Sequence, residues 1–272
     1  MTMDRRQLEK YLALLGVPES DPGPESLRKL VRAHLMNVPF ENVSKLFRWK
    51  TSGIRGIPDC DEYLHGIERF HFGGTCYTNN YYLFLLLAAL GYEVRLCGAG
   101  MSRPDVHIVS IVALEGREYI VDAGYGAPFL EPLPRDLRSD HEVSLGTDRY
   151  VLSPQNPAGQ SRLTLYRDGA VRHGYLVNPA PRRIGEFGQV IADSFRPDAT
   201  FMNALLLVKF GIDNSVVLHN MILIESKGPA SEKTAIGTTG ELAGVIERRF
   251  SIPGSVSRIA LEGVSFGQDA WS

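Results

Sequence analysis

Residues 77–90, YTNNYYLFLLLAAL, form the longest apolar run in the chain, and this run limits the possible folds more than any other feature. Its length and its Leu/Ala content predict a buried helix over 77–90. It is shorter than the roughly 20 residues that a membrane-spanning helix requires. Such a helix has to be covered by other elements, so the core must form around it. Gly73 and Gly74 stand just ahead of the run and read as the turn through which the chain enters it. Cys76 therefore falls at a helix N-terminus. Unpaired backbone N–H groups and the positive end of the helix dipole favour a thiolate there, and the thiolate is the reactive form of cysteine. The competing reading is a small buried hydrophobe, the commonest role of a free cysteine.

A chain of 272 residues, 44% hydrophobic and 22% charged, can bury one large core or two to three small ones. A net charge of -2 supplies no electrostatic footprint for nucleic acid or an anionic membrane, so small molecules are the expected partners. The first twenty residues interleave charges with apolar side chains and lack the continuous apolar core of a signal peptide, which predicts a cytoplasmic protein. Cys60, Cys76 and Cys97 are odd in number and have no CxxC spacing, arguing against both a disulfide framework and a zinc site.

The first third reads as helical. DRRQLEKYLALLG and PESLRKLVRAHLM carry apolar residues at helical spacing, and Pro39 marks where the second must have stopped. With the helix after Cys76, these make an expected bundle of three. From Glu93 the texture turns to β, with EVRLCGAGM, VHIVSIVAL, EYIVDAGYG, DRYVLS and RLTLYRDGAVRHGYLV broken by glycine and proline. An antiparallel sheet or small barrel is expected from them, with the proline-rich EPLPRDLRSD as a loop. After Pro181 come two strand-like runs, FMNALLLVKF and SVVLHNMILIE, and an amphipathic helix, GELAGVIERRF. The overall expectation is α+β, divided as a helical part over residues 1–92, a β part over 93–190 and a mixed part over 191–272.

A nucleophilic cysteine needs a base and a group that holds the base in one tautomer. His107 opens HIVSIVAL, which joins EYIVDAG through the tight EGRE segment, a hairpin signal. If the turn centres on Glu115 and Gly116, His107 and Asp122 fall within about two rungs of each other on one face of the hairpin. A bond from Asp122 to one ring nitrogen would leave the other for a thiol and would stabilise the imidazolium. A strand-end histidine satisfied by a nearby carboxylate, with no catalytic role, fits the same pattern. His34, His65, His71, His141, His173 and His219 read as structural. The two glycines of DAGYGAP allow close backbone approach to a ligand, or simply serve a turn; no Walker or GxGxxG motif is present.

Taken together, VPFENVS (38–44), GGTC (73–76), PDVHIVSIV (104–112), YIVDAGYG (119–126) and FRPDATF (195–201) resemble the arylamine N-acetyltransferases. The resemblance spans nearly the whole chain. It implies an N-terminal helical bundle, a central antiparallel β-barrel and a C-terminal α/β lid around a cysteine-protease-like catalytic core, with the triad shared by the first two parts. It implies Cys76 as the acetyl-accepting nucleophile, His107 as the base and Asp122 as the residue that orients it. Phe40 and Tyr125 would line the acceptor pocket. Gly124, Tyr125 and Gly126 would lie beside the coenzyme A pantetheine, and the Cys76 N–H would join an oxyanion hole. The implied co-substrates are acetyl-CoA and an aromatic amine or hydrazine, with no metal.

The family usually has an arginine before the glycine pair and a glutamate two residues after the cysteine, where this chain has Phe72 and Thr78. Glu41 thereby loses its customary partner, so either a substitute such as Arg69 or an exposed Glu41 is expected. Three readings compete with acetyl transfer: an amide synthase using a carrier-bound or longer acyl donor, a cysteine hydrolase with the same triad, and a binding protein on a retired scaffold.

Overall fold

The computed structural model describes residues 2–228 and 230–270. Its helical part begins with α1 (Arg5–Leu15) and α2 (Pro24–Asn37). Asp4 caps α1 by accepting from the Gln7 N–H, and the Gln7 side chain returns the bond in a capping box. Pro24 opens α2, and Val38 and Pro39 follow its last residue, as the proline signal required. A two-residue strand, β1 (Phe40–Glu41), leads to α3 (Val43–Ser52), α4 (Cys60–Phe70) and α5 (Cys76–Ala89).

The expected bundle of three helices is thus too small. Both α3 and α4 carry charges among their apolar residues, and α3 buries two of them, Lys45 and Arg48, which obscures the periodicity that would have exposed it. By contrast α5 is apolar all round, with Tyr82, Leu83, Leu86 and Leu87 essentially inaccessible. It packs against the sheet that follows it. Burial of each such leucine is worth about 1.5–3 kcal/mol, so this helix organises the core.

Strands β2 (Glu93–Gly100), β3 (His107–Leu114), β4 (Arg117–Val121), β5 (Leu133–Pro134), β6 (His141–Leu145), β7 (Asp148–Leu152), β8 (Ser161–Arg167) and β9 (Ala170–Pro181) form one antiparallel sheet in the order β5-β4-β3-β2-β9-β8-β7-β6. It curls into a nearly closed barrel. Glu115 and Gly116, both at positive φ (51° and 74°), make the two-residue turn between β3 and β4 that the sequence predicts.

After a 3-10 turn (Ile184–Phe187), α6 (Gly188–Asp193) and α7 (Thr200–Asn203), the chain forms β10 (Leu206–Phe210), β11 (Asn214–His219), β12 (Ile222–Lys227) and β13 (Ala230–Ala235). FMNALLLVKF is therefore not one strand: its first residues finish α7, and pairing starts only at Leu206. These strands make a second antiparallel sheet whose far edge is β1, with Phe40 opposite Val208 and Glu41 opposite Leu207. Helices α8 (Thr239–Phe250) and α9 (Gly254–Leu261) close the fold, α9 packing on α3. Among the described residues no helix is long and apolar enough to cross a membrane.

Candidate active site

Cys76 is the first residue of α5, preceded by Thr75 in an extended conformation. The Thr78 and Asn79 N–H groups of this turn donate to Thr75 O, which leaves those of Cys76 and Tyr77 at the open end of the helix. Gly73 is required by crowding: a Cβ there would come within 1.8 Å of the Pro39 carbonyl oxygen. Gly124 is required for the same reason, since its Cβ would lie 2.5 Å from Cys76 Cα. The DAGYG segment consequently lies directly on the start of α5.

The β3–β4 register sets Ser110 opposite Val121, so Asp122, one residue past β4, stands diagonally from His107 on the same face. His107 Nε2 and Asp122 Oδ2 are 2.8 Å apart and both side chains are buried. This assigns Nε2 to the carboxylate and leaves Nδ1 for the Cys76 thiol, which is within hydrogen-bonding reach of the ring. Burial alone would lower the His107 pKa, but Asp122 and Cys76 together raise it to about 10. Asp122 also feels a burial penalty, outweighed by His107, Asn80 and the Gly124 N–H, and its carboxyl is held below the usual range. Cys76 Sγ has Val106 O at 3.9 Å.

Asn80, one turn along α5 from Cys76, completes this arrangement and was not singled out from the sequence. Its Nδ2 donates to Asp122 Oδ1 (2.8 Å) and to Ile108 O (2.5 Å), while its Oδ1 accepts from the Ala123 N–H (2.7 Å). An asparagine four residues after the cysteine, on the same face of the helix, was the available signal.

The site opens into a cavity of about 630 Å³ whose lining includes Phe40, Lys45, Cys76, His107, Gly124 and Tyr125. Gly126 is set back, with Phe40 and Val208 around it. Phe40 meets Phe201 edge to face with centroids 5.7 Å apart. Tyr125 donates to or accepts from His173 Nδ1 at 2.8 Å. His173 lines the cavity too, contrary to its reading as purely structural; the alternating His173 and Tyr175 of β9 put both beside Tyr125. His34 is structural: fully buried, bonded to Tyr11, its pKa lowered by burial to about 3.

Glu41 departs from both expectations. It is fully buried, and Arg69 lies instead over the Phe70 ring. The Glu41 carboxylate accepts from two backbone donors, the Ser44 N–H (2.8 Å) and the Gly73 N–H (3.1 Å). Burial raises its pKa, and these bonds with the charge of Arg48 oppose the rise. Arg48 pairs with Glu62 at 3.1 Å and lies over Phe72 at 5.4 Å, so the aromatic ring that replaces the usual arginine is itself covered by a guanidinium. Among the described residues no cluster of three or more His, Cys, Asp or Glu is arranged to hold a metal ion.

Residues 25–258 match the profile of a family described as N-acetyltransferase. The chain is 27% identical over 276 residues to an arylamine N-acetyltransferase of Mycolicibacterium smegmatis, covering 93% of each. It is 29% identical over 214 residues to an N-malonyltransferase of Fusarium pseudograminearum, covering 66% of this chain and 61% of that one. The matched segments span only 47% and 51% of two further curated relatives. The crystal structure of the Nocardia farcinica arylamine N-acetyltransferase superposes with a TM-score of 0.78 at 26% identity, covering 96% of this chain and 95% of that one. With a family profile matching most of its length and a fold shared end to end, the chain belongs to the arylamine N-acetyltransferase family.

Proposed function

We propose that this protein is an acetyl-CoA-dependent N-acetyltransferase that passes an acetyl group through a Cys76 thioester to an arylamine or hydrazine. The observation that carries the reading is a cysteine at a helix start, within reach of a buried His107–Asp122 pair, on the wall of a 630 Å³ cavity. That volume falls in the range of small-molecule sites.

His107 Nδ1 takes the Cys76 proton, and the resulting imidazolium is stabilised by Asp122. The sulfur attacks the thioester carbonyl carbon, and the Cys76 N–H, free by its position in the first helical turn, donates to the developing oxyanion. The carbon–sulfur bond to coenzyme A breaks, and the leaving thiolate takes the proton from His107. In the second half the amine nitrogen attacks the acyl-cysteine, His107 accepts the amine proton, and Cys76 departs. Phe40 and Tyr125 offer apolar walls for an aromatic acceptor, while Gly124 and Tyr125, on the cavity wall, would border the pantetheine arm, with Gly126 behind them. The three cysteines, each free, support a reducing, cytoplasmic location.

The test is the intact mass after brief exposure to acetyl-CoA without acceptor. A gain of one acetyl group on Cys76, discharged by an arylamine with formation of the amide, is expected. Release of acetate at a rate indifferent to the amine would make the protein a hydrolase; coenzyme A binding with no mass gain would make it a retired scaffold.

A further inference from the structure

The cavity beside Cys76 has a cation on its wall that acyl transfer as described does not use. Lys45, in the first turn of α3, is only 8% exposed. Its ammonium donates to Ser194 O (2.6 Å) and Ser194 Oγ (3.0 Å) and lies 4.3 Å from the centroid of the Phe195 ring. A carbonyl, a hydroxyl and a ring solvate a cation without neutralising it. Among the described residues no carboxylate comes within the 4.0 Å ion-pair distance of Lys45 Nζ. Asp193, adjacent to Ser194 and also on the cavity wall, accepts from Gln189 at 3.0 Å. Arg196, another lining cation, pairs with Asp198. Burial lowers the Lys45 pKa to about 7, and the one charge that acts on it in the opposite sense is Cys76.

Lysine ordinarily keeps its ammonium in water by extending its stem. Here the ammonium is held against Ser194 and Phe195, on the wall of the cavity that Cys76 also lines. An anion delivered to this place would meet it in a low effective dielectric and offset its desolvation. The anion must be small and close to Sγ. With carbon–carbon bonds of about 1.5 Å, an acyl group that ends in a carboxylate one carbon beyond its carbonyl places that charge about 4–5 Å from the sulfur. Coenzyme A phosphates lie at the other end of the pantetheine arm and do not meet this condition. A carboxylate ortho to the amino group of an aromatic amine poised to attack does, whereas a para carboxylate, about 6 Å from the attacking nitrogen, does not.

We propose that Lys45 is a specificity residue that recognises a substrate carboxylate at Cys76, carried either by a malonyl-type acyl group or by a carboxylated arylamine. This rests on the acyl-transfer reading. The chemistry is otherwise unchanged: the malonyl carbonyl carbon forms its bond to Sγ as the bond to the coenzyme A sulfur breaks, and the free carboxylate is a spectator held by the ammonium.

The experiment uses charge-neutral partners of the same size on the full chain. In the donor arm, rates of Cys76 acylation by malonyl-CoA and by its uncharged methyl ester are compared by intact mass, without acceptor. In the acceptor arm, discharge of the acyl-enzyme by 2-aminobenzoate and by 2-aminobenzamide is compared. At least one ratio should favour the carboxylate by about tenfold or more, the size expected of a charged hydrogen bond, and Lys45→Met should bring that same ratio close to one. A merely structural lysine would lower both members of each pair alike and leave the ratios alone. Dependence in the donor arm identifies the acyl group as the carrier, and dependence in the acceptor arm identifies the amine. Ratios within about threefold in both arms of the wild-type protein, or ratios that survive Lys45→Met, overturn the inference while leaving acyl transfer standing. Failure of every thioester to acylate Cys76 overturns the acyl-transfer reading itself, and this one with it.

Discussion

Replacing Asn80 by alanine isolates a contribution that stands behind the His107–Asp122 pair. The substitution removes an amide donor from Asp122 Oδ1 and Ile108 O and an acceptor from the Ala123 N–H, all at buried positions. A hydrogen bond to a charged group is worth about 1.5–3 kcal/mol, and an orphaned buried N–H costs about 1–3 kcal/mol. The sum is about 2.5–6 kcal/mol of stability. For a chain of this size each kcal/mol moves the Tm by about 2–4 °C, so calorimetry should show a fall of roughly 5–24 °C. Asp122 keeps His107 and the Gly124 N–H at 2.9 Å, so it loses support without losing its position altogether. If the missing bond to Asp122 is felt fully in the transition state, its 1.5–3 kcal/mol corresponds to a turnover about 10–100-fold lower. Turnover would be measured as amide formation below the new Tm. An Asn80→Ala protein with a Tm within about 2 °C of the parent and turnover within about threefold would refute the assignment of Asn80 as the residue that positions Asp122.

Asp122→Asn should fold but leave His107 in the wrong tautomer, lowering turnover by on the order of a thousandfold or more; near-normal turnover in a folded variant would remove Asp122 from the mechanism. Sparing alkylation followed by peptide mapping should label the part-exposed Cys76 well before Cys60 and Cys97, which are buried and whose thiols burial raises to about 11. Equal labelling of all three in the folded protein would return Cys76 to a structural role. Buried His34 should make the protein acid-sensitive. Its pKa is lowered from 6.5 to about 3, so the unfolded state binds the extra proton and stability present above pH 6.5 is lost as pH falls toward 3. At about 1.4 kcal/mol per pH unit this is on the order of 4–5 kcal/mol, and His34→Gln should flatten that part of the stability–pH curve relative to the parent. Parallel curves for the two proteins would contradict it.

What could be read from the sequence was local. The start of α5 was marked by Gly73 and Gly74 and by the composition of the run after them, so Cys76 could be placed at a helix end before any fold was known. The hairpin was as explicit. Glu115 and Gly116 adopt the positive φ angles of a two-residue turn, and strand alternation then brings His107 and Asp122 to one face whatever surrounds them. Short-range geometry of this kind is determined by the spacing of residues along the chain.

Other features depended on contacts between distant segments. Lys45 and Arg48 sit in a helix too charged to show its periodicity, and Lys45 meets its partners 149 residues later at Ser194. Glu41 appeared to need a cation or exposure because a side-chain partner was missing; its partners are backbone N–H groups, which no residue identity reveals. The strand Phe40–Glu41 is set by an edge that β10 offers across more than half the chain, and Asn80 acquires its meaning only when α5 packs on the β3–β4 hairpin. The sequence by itself determined which residues could carry the chemistry and how the His–Asp pair is spaced. Tertiary packing decided which buried polar groups are satisfied, and it set the Lys45 ammonium on the wall of the cavity that Cys76 lines, because only packing sets the solvation and the neighbours on which a buried charge depends.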